Sequence, residues 1–273
     1  MCRKNKVSDI SPEVQHVLYD KEIANFFETD LFELYSTSHD LVLKQLDARN
    51  AVLKKVLDIG CGTGWFLEKL VDNYTELSLS GSDISPHMLE IAQSKPKLTN
   101  LSIFISDIQQ LIQVVPAQSF DMVSLHYVLC YEPKEIAFPI VAKLVRPGGL
   151  FSLATMTKEN SFPALQKLSG SLLENIDKDE ADSLCYTPLS KEDLLEYIES
   201  SKLFEIEMWN TLDKPMSFES KAQLSDFAFR SGWVSEVSDE YRPHIEKAIQ
   251  DAQDIQFPIQ DHFYSEIVLL KVK

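Results

Sequence analysis

Three of the chain's eight glycines lie within five residues, at Gly60, Gly62 and Gly64. They follow an apolar run that contains Asp58, and a helical pattern begins directly after them. Glycine permits a tight strand-to-helix turn and a close approach of the backbone to a ligand. The free N–H groups at the start of the next helix can hold a polar or anionic group. The segment therefore predicts either a ligand-binding loop or a plain tight turn.

Asp83 lies 23 residues beyond Gly60, at the end of the next strand-like run. A carboxylate about 20 residues past a glycine loop suits the two hydroxyls of a ribose. Alone, such an aspartate more often caps a helix, but together with the loop it favours a nucleoside ligand at the carboxyl ends of the strands. Dinucleotide loops read G-x-G-x-x-G, whereas Asp58 to Gly64 read D-x-G-x-G-x-G. The glycine spacing therefore favours a different class of ligand.

Strand-like apolar runs alternate with helical patterns along the chain. Seven runs predict strands, at residues 56–59, 77–82, 101–105, 120–125, 150–154, 204–209 and 263–272. Residues 12–48 have a helical pattern, as do the connections that follow the first, second and fourth strands. This alternation predicts a Rossmann-like α/β fold, a seven-stranded and mostly parallel sheet with helices on both faces.

Helix boundaries and domain limits follow from local signals. Ser85 and Ser190 are predicted helix N-caps, and Pro139 predicts a kink or a break in the helix before the fifth strand. Outside the core, we predict an N-terminal helical cap and a helical lid. We divide the chain into a cap at 1–48 and a core at 49–273, with lid insertions at 156–188 and 211–262.

The composition excludes several classes of partner. Lys plus Arg number 26 and Asp plus Glu number 42, which gives a net charge of −16. That charge disfavours nucleic acid and anionic membrane surfaces. No apolar stretch approaches 18 residues, which disfavours a membrane span. The four cysteines are far apart and form no CxxC, so we expect no disulfide framework and no metal site but a reduced, cytoplasmic protein.

The sequence resembles the class I S-adenosylmethionine-dependent methyltransferases, in particular their small-molecule members. Five segments match in the family's order and spacing between about residues 50 and 155. They are Val56 to Gly64, Gly81 to Ser85 followed by Met88-Leu89, Ser106 to Ile108, Phe120 to Val123, and Leu144 to Leu150. As a set they are specific for the fold and the cofactor, and they say almost nothing about the methyl acceptor.

The resemblance implies S-adenosyl-L-methionine as the cofactor and S-adenosyl-L-homocysteine as its product. The residues that it assigns to the cofactor are Tyr19, Asp58, Gly60, Cys61, Gly62, Asp83, Ile84, Met88, Asp107, Ile108 and His126. Asp58 would orient the loop and the cofactor's amino group, and Asp83 would bind the ribose hydroxyls. Asp107 would accept a hydrogen bond from the adenine amine, and Tyr19 would cover the cofactor.

His126 ends the fourth strand, where the resemblance places the methyl-transfer side. It is the predicted catalytic base for an acceptor that must lose a proton, and a hydrogen-bonded structural histidine is the open alternative. We expect an enzyme that moves a methyl group to a small-molecule acceptor by direct displacement. A protein methyltransferase and a non-catalytic cofactor-binding scaffold of the same fold are the alternatives. The sequence carries no signal for the oligomeric state.

Overall fold

A seven-stranded sheet organises the part of the protein that the structure describes. The computed structural model describes residues 21–157, 189–230 and 256–273, together with positions 162, 164, 247 and 249. The strands are β1 Lys55–Ile59, β2 Ser78–Asp83, β3 Ser102–Ile105, β4 Phe120–His126, β5 Val145–Thr155, β6 Phe204–Phe218 and β7 Ile259–Val272. Their order is β3-β2-β1-β4-β5-β7-β6. Strands β1 to β5 pair in parallel, and β7 is antiparallel to both of its neighbours. The predicted fold class is confirmed.

The described residues contain eight α-helices. They are α1 Lys21–Phe27, α2 Leu34–Ala48, α3 Trp65–Asn73, α4 Pro86–Ser94, α5 Ile108–Val114, α6 Lys134–Leu144, α7 Lys191–Ser201 and α8 Lys221–Arg230. Apolar side chains of α2 and α3 pack on one face of the sheet, and those of α5, α6 and α7 pack on the other. None of these helices is long and apolar enough to cross a membrane.

The direction of each side chain on the central strands determines which helices it packs against. Successive side chains of a strand point to opposite faces of the sheet. Leu57 of β1 and Val123 of β4 belong to the apolar core under α5 and α6. Val56 and Met122, one residue earlier on each strand, belong to the core under α2 and α3. Asp58 therefore lies on the face that α2 and α3 cover.

The N-terminal helical pattern is interrupted in the structure. The described part of residues 12–48 forms α1 and α2, which are separated by a short 3₁₀ turn at Leu31–Glu33. Three non-glycine residues of this connection have positive φ: Asp30, Phe32 and Glu33. The buried Asp30 carboxylate accepts hydrogen bonds from the backbone N–H groups of Tyr35 and Ser36. This carboxylate cap stabilises a turn that the apolar periodicity does not reveal.

The last two strands extend beyond their predicted limits. Strand β6 continues to Phe218 instead of ending at Trp209, and β7 begins at Ile259 instead of Phe263. The added residues include Pro215, which disfavours a strand in the sequence pattern. Because β6 is the edge strand of the sheet, a proline there costs no hydrogen bond to a further neighbour. Segment 211–262, which we expected to be a lid insertion, thus begins and ends within paired strands.

Both predicted N-caps are present. The Ser85 side chain accepts from the backbone N–H of Met88 at 3.3 Å, and the Ser190 side chain accepts from that of Asp193 at 2.9 Å. Helix α6 does not end at Pro139. Ala137, Phe138 and Val141 on either side of Pro139 are buried against the sheet. The free energy of this packing exceeds that of the one backbone hydrogen bond that a proline removes. The predicted lid segment 156–188 lies almost entirely outside the described residues.

Candidate functional site

The glycine loop connects the end of β1 to the start of α3. Gly60, Gly62 and Gly64 have φ values of +68°, +51° and +84°, a region in which side-chain-bearing residues are strained. A Cβ atom at Gly60 would lie 2.3 Å from Cγ2 of Val128, so any other residue there would clash. The loop therefore needs glycine for its backbone conformation and for its contact with the segment after β4.

Asp83 holds the glycine loop from the neighbouring strand. Its Oδ2 accepts from the backbone N–H of Gly62, and its Oδ1 accepts from that of Ser85, both at 2.9 Å. A carboxylate has about four lone-pair positions in all, and that of Asp83 lies at the carboxyl ends of β1 and β2. A carboxylate at this edge of the sheet suits a pair of neighbouring hydroxyls.

Asp58 is a buried carboxyl beneath the loop. It is 3% exposed, and its Oδ1 accepts from the hydroxyl of Ser124 at 2.6 Å. Burial raises the pKa of Asp58 to about 7; the hydrogen bond from Ser124 opposes this rise and the nearby Asp83 adds to it. A cation placed beside Asp58 would favour the ionised carboxylate. The site is therefore suited to an ammonium group.

Cys61 is buried inside the loop, and its backbone N–H donates to the carbonyl of Ser82 at 2.9 Å. Burial raises the pKa of its thiol well above the ordinary value, and the charges of Asp83 and Asp58 raise it further. A thiol in this environment stays protonated, and a nucleophilic cysteine needs the thiolate. The geometry agrees with a small residue in the loop and gives Cys61 no role as a nucleophile.

Further predicted cofactor residues directly follow β2 and β3 in the chain. Met88 and Ile108 are buried, and Ile84 is partly exposed. Asp107 is the N-cap of α5, where its Oδ1 accepts from the backbone N–H of Gln110 at 2.7 Å. Their contacts with an adenine ring stay predictions. Tyr19, which was predicted to cover the cofactor, lies outside the described residues.

His126 is enclosed between the sheet and the helices of one face. It is 7% exposed, its Nε2 lies 2.9 Å from Oγ of Ser152 on β5, and its ring centroid lies 4.5 Å from that of Phe66 on α3. Burial lowers its pKa well below the usual range, and the nearby His39 lowers it further. The imidazole is therefore neutral, as a proton acceptor must be. Its role as the catalytic base stays a prediction.

His39 on α2 lies beside His126, and the sequence patterns did not single it out. It is 6% exposed, and its ring centroid lies 5.4 Å from that of His126 and 5.2 Å from that of Phe66. Burial lowers its pKa to about 3, and Lys69 contributes to this effect. The available signal was its position on the apolar face of α2, three residues before the buried Val42.

Tyr127, the residue after His126, packs against further aromatic side chains. It has a φ of +59°, and its ring packs at 5.2 Å from that of Tyr35. Its hydroxyl donates to Oγ of Ser265 at 3.1 Å. These contacts hold the side chain in place. Burial raises the pKa of Tyr127 to about 12, so its hydroxyl stays protonated near pH 7. The described residues contain no group of three or more His, Cys, Asp or Glu side chains that could hold a metal ion.

These features together fit a nucleoside that carries an amino-acid tail. The glycine loop presents bare backbone at its turn, Asp83 places a carboxylate at the carboxyl end of β2, and Asp58 is a buried carboxyl beneath the loop. Ile84 and Met88 add apolar side chains directly after β2. The residues thus fit S-adenosylmethionine on their own chemistry.

Comparison with known proteins gives the same assignment for the core. Residues 56–149 match the family model described as a methyltransferase domain. A malonyl-(acyl-carrier protein) O-methyltransferase of Halalkalibacterium halodurans is 28% identical over 116 residues, which are 41% of this chain and 42% of that protein. The enzyme of the same name from a Marinomonas species is 26% identical over 217 residues, which cover 76% of this chain and 77% of the relative.

Solved structures share the fold. A geranyl diphosphate C-methyltransferase from Streptomyces coelicolor, solved with Mg²⁺, geranyl-S-thiolodiphosphate and S-adenosyl-L-homocysteine, superposes with a TM-score of 0.53 at 9% identity. The match covers 88% of this chain and 77% of that one. The chain matches less than half of the length of the Halalkalibacterium relative. The predicted methyltransferase domain is confirmed for residues 56–149, and the methyl acceptor is a separate question.

Proposed function

We propose that the protein transfers a methyl group from S-adenosyl-L-methionine to a small-molecule acceptor. The observation that carries this proposal is the position of Asp83, whose carboxylate joins the backbone of Gly62 to that of Ser85 at the carboxyl ends of the parallel strands. In an open α/β sheet, ligands bind at this edge, where the strand order changes direction. Here that point lies between β1 and β4.

Each predicted residue has a role in holding the cofactor. Asp83 binds the ribose hydroxyls, and Asp58 faces the ammonium group of the methionine part. Gly60, Cys61 and Gly62 supply the backbone surface against which that part lies. The adenine ring packs against Ile84, Met88 and Ile108, its amine donates to Asp107, and Tyr19 covers the ligand.

The bound cofactor supplies a methyl group that is already electrophilic because it is attached to a sulfonium. The chain has to align a nucleophile with that methyl group and to exclude water. Alignment of this kind can contribute roughly 7–11 kcal/mol to lowering the barrier. His126 is the proposed base for acceptors that lose a proton, because its imidazole is neutral and buried at the end of β4.

The relatives support a small acceptor. The two curated relatives are named for methylating malonyl-(acyl-carrier protein) on oxygen, and the structural neighbour is named for methylating geranyl diphosphate on carbon. We therefore include in the proposal an acceptor that is either free or attached to a carrier. The net charge of −16 supports the absence of a nucleic-acid partner, and we place the reaction in the cytoplasm.

Methyl-labelled cofactor distinguishes this function from its alternatives. The protein is incubated with tritium-labelled S-adenosylmethionine and a cell extract, which is then divided into small molecules and protein. We expect label in the small-molecule fraction, or in carrier protein from which mild base releases it as a thioester-bound group. Label that stays on protein after base treatment would indicate a protein methyltransferase. Cofactor binding without any label transfer would indicate a scaffold, and Asp83→Ala is the negative control in each case.

A further inference from the structure

Two buried imidazoles, those of His39 and His126, lie side by side between the sheet and helices α2 and α3. Their ring centroids are 5.4 Å apart, and Phe66 packs against both rings, at 5.2 Å and 4.5 Å. In both residues Nδ1 is buried and has no hydrogen-bond partner among the described residues. The same location therefore holds two unsatisfied polar atoms.

Unsatisfied buried nitrogens of this kind call for an explanation. Most buried polar side-chain atoms in proteins have a hydrogen-bond partner, and leaving one without a partner costs about 1–3 kcal/mol. An apolar ring would fill either position at no such cost. Of the two imidazoles, His126 uses its Nε2 in a hydrogen bond with Ser152. Within the part of the chain that the structure describes, neither Nδ1 atom has a partner, so both can bond to a ligand.

The pair adjoins the proposed cofactor site. Asp58, Ser124 and Ser152 are register partners on the adjacent strands β1, β4 and β5. His126 lies two residues beyond Ser124 on the same face of β4, which places it about 7 Å further along the strand, toward its carboxyl end. Phe66 is the second residue of α3, directly after the glycine loop. A group bound between the imidazoles would therefore lie next to the methionine part of the cofactor.

We propose that His39 and His126 form the acceptor subsite and that it binds an oxygen group, a hydroxyl or a carboxyl, of the methyl acceptor. This inference rests on the proposed function and adds the substrate class and His39. The two ring centroids are 5.4 Å apart, and a hydrogen bond between nitrogen and oxygen is about 2.9 Å long. An oxygen placed between the two imidazoles would therefore be within reach of both rings.

The charges around the pair favour oxygen over an amine. Both imidazoles are neutral, because burial lowers their pKa values. A primary amine is cationic near pH 7, and a buried cation needs an anionic partner. The positive charge of Lys69 helps to lower the pKa of His39, and the same charge disfavours a second cation beside His39. A neutral imidazole can instead offer either N–H or a lone pair to oxygen.

The two imidazoles have different tasks when the acceptor is a hydroxyl. In the tautomer in which His126 donates its Nε2–H to Ser152, the lone pair of Nδ1 is left for the acceptor's proton. As the oxygen–methyl bond forms, the methyl–sulfur bond breaks and its electron pair stays on sulfur, while the hydroxyl proton moves to Nδ1 of His126. A carboxylate transfers no proton and needs only to be held. His39 contacts the acceptor oxygen and positions it, and the proton goes to His126.

Nuclear magnetic resonance of histidine ring nitrogens tests the subsite without turnover. The protein is labelled with ¹⁵N-histidine, saturated with S-adenosylhomocysteine, and titrated with hexan-1-ol, hexanoate or hexylamine. These probes share one chain and differ in the head group. We expect hexan-1-ol or hexanoate to shift Nδ1 of both His39 and His126. We expect hexylamine to bind at least about tenfold more weakly and to leave both nitrogens unshifted.

Variants connect the shifts to the pair. His39→Phe keeps an aromatic ring and should abolish the shift at His126, while His39→Asn keeps a polar group near the position of Nδ1 and should retain part of it. His262→Gln, which changes an exposed imidazole paired with Asp213, is the matched control and should change nothing. Unaltered affinity for S-adenosylhomocysteine shows that the variants are folded.

Three results would overturn the subsite. They are the absence of a shift with both oxygen probes, equal shifts with hexylamine, or an unchanged shift at His126 in His39→Phe. Each of these can occur while S-adenosylhomocysteine still binds, and then the cofactor assignment survives. Failure to bind S-adenosylhomocysteine would instead contradict the proposed function itself.

Discussion

The affinity for S-adenosylhomocysteine should depend on pH through Asp58. The buried carboxyl has a pKa raised to about 7, mainly by burial, so it is largely protonated at pH 5.5 in the unliganded protein. The ligand's ammonium group favours the ionised form and lowers this pKa by about 1–3 units in the complex. Binding therefore releases a proton below pH 7, and affinity rises with pH.

The size of the effect follows from these values. With a pKa of about 7 before binding and about 5 after it, the association constant rises roughly tenfold between pH 5.5 and pH 7.0. The ligand's amino group stays mostly protonated over this interval. Calorimetric titrations at several pH values, each in buffers of different ionisation enthalpy, measure the affinity and the number of protons released.

Two variants decide whether Asp58 is the group responsible. Asp58→Asn should bind with an affinity that is nearly independent of pH between 5.5 and 7.0. Ser124→Ala removes the hydrogen bond that holds the pKa of Asp58 down, so the rise in affinity should move to higher pH. If Asp58→Asn keeps the tenfold change of the unmodified protein, the assignment of this carboxyl to the ammonium group is refuted.

The same carboxyl should affect the stability of the unliganded protein. A pKa raised from 3.8 to about 7 corresponds to about 4 kcal/mol against the ionised form. The folded state then binds more protons than the unfolded state between these pH values, so the free energy of unfolding falls as pH rises from about 4 to 7. Urea unfolding at pH 5 and pH 7 should show this loss in the unmodified protein and a smaller one in Asp58→Asn. Equal losses in both would contradict the shift.

Three substitutions test the packing and the loop. Phe138→Ala removes a fully buried ring that contacts three other aromatic rings, and urea unfolding should show a loss of about 3–5 kcal/mol. Gly60→Ala, which would clash with Val128, should abolish S-adenosylhomocysteine binding in a calorimetric titration; Gly148→Ala also has positive φ but meets no neighbouring atom, and should retain binding. Ser190→Ala removes a helix cap and should cost about 1 kcal/mol in urea unfolding. A loss under 1 kcal/mol in Phe138→Ala would contradict the packing of that ring. Retained binding in Gly60→Ala would contradict the clash with Val128, and an unchanged stability in Ser190→Ala would contradict the helix cap.

Local patterns carried most of the fold. The glycine loop, the aspartate at the end of β2 and the serine caps are recognisable because each depends on residue types at a short, fixed spacing. The alternation of strands and helices then limits the topology to a parallel sheet with a right-handed connection between neighbours. These signals give the strand order around the loop, and with it the edge of the sheet where Asp58 and Asp83 meet.

Contacts between distant parts of the chain were not accessible in the same way. His39 and His126 are 87 positions apart, and only the packing of α2 across the sheet brings their rings together. Likewise, Pro215 lies in a strand because Pro215 and His262 are register partners across β6 and β7. Sequence periodicity reports the neighbours of a residue along the chain, whereas these features depend on neighbours that tertiary structure supplies.

Calorimetric titration with S-adenosylhomocysteine at pH 7 tests whether Asp83 holds the cofactor, with Asp83→Ala and Asp83→Asn compared with the unmodified protein. We expect one-to-one binding by the unmodified protein and no measurable binding by Asp83→Ala. Asp83→Asn, which keeps one of the two oxygens that accept from Gly62 and Ser85, should bind weakly. Binding that is equally strong in all three proteins, or absent from the unmodified protein, would contradict the assignment of this edge of the sheet to the cofactor.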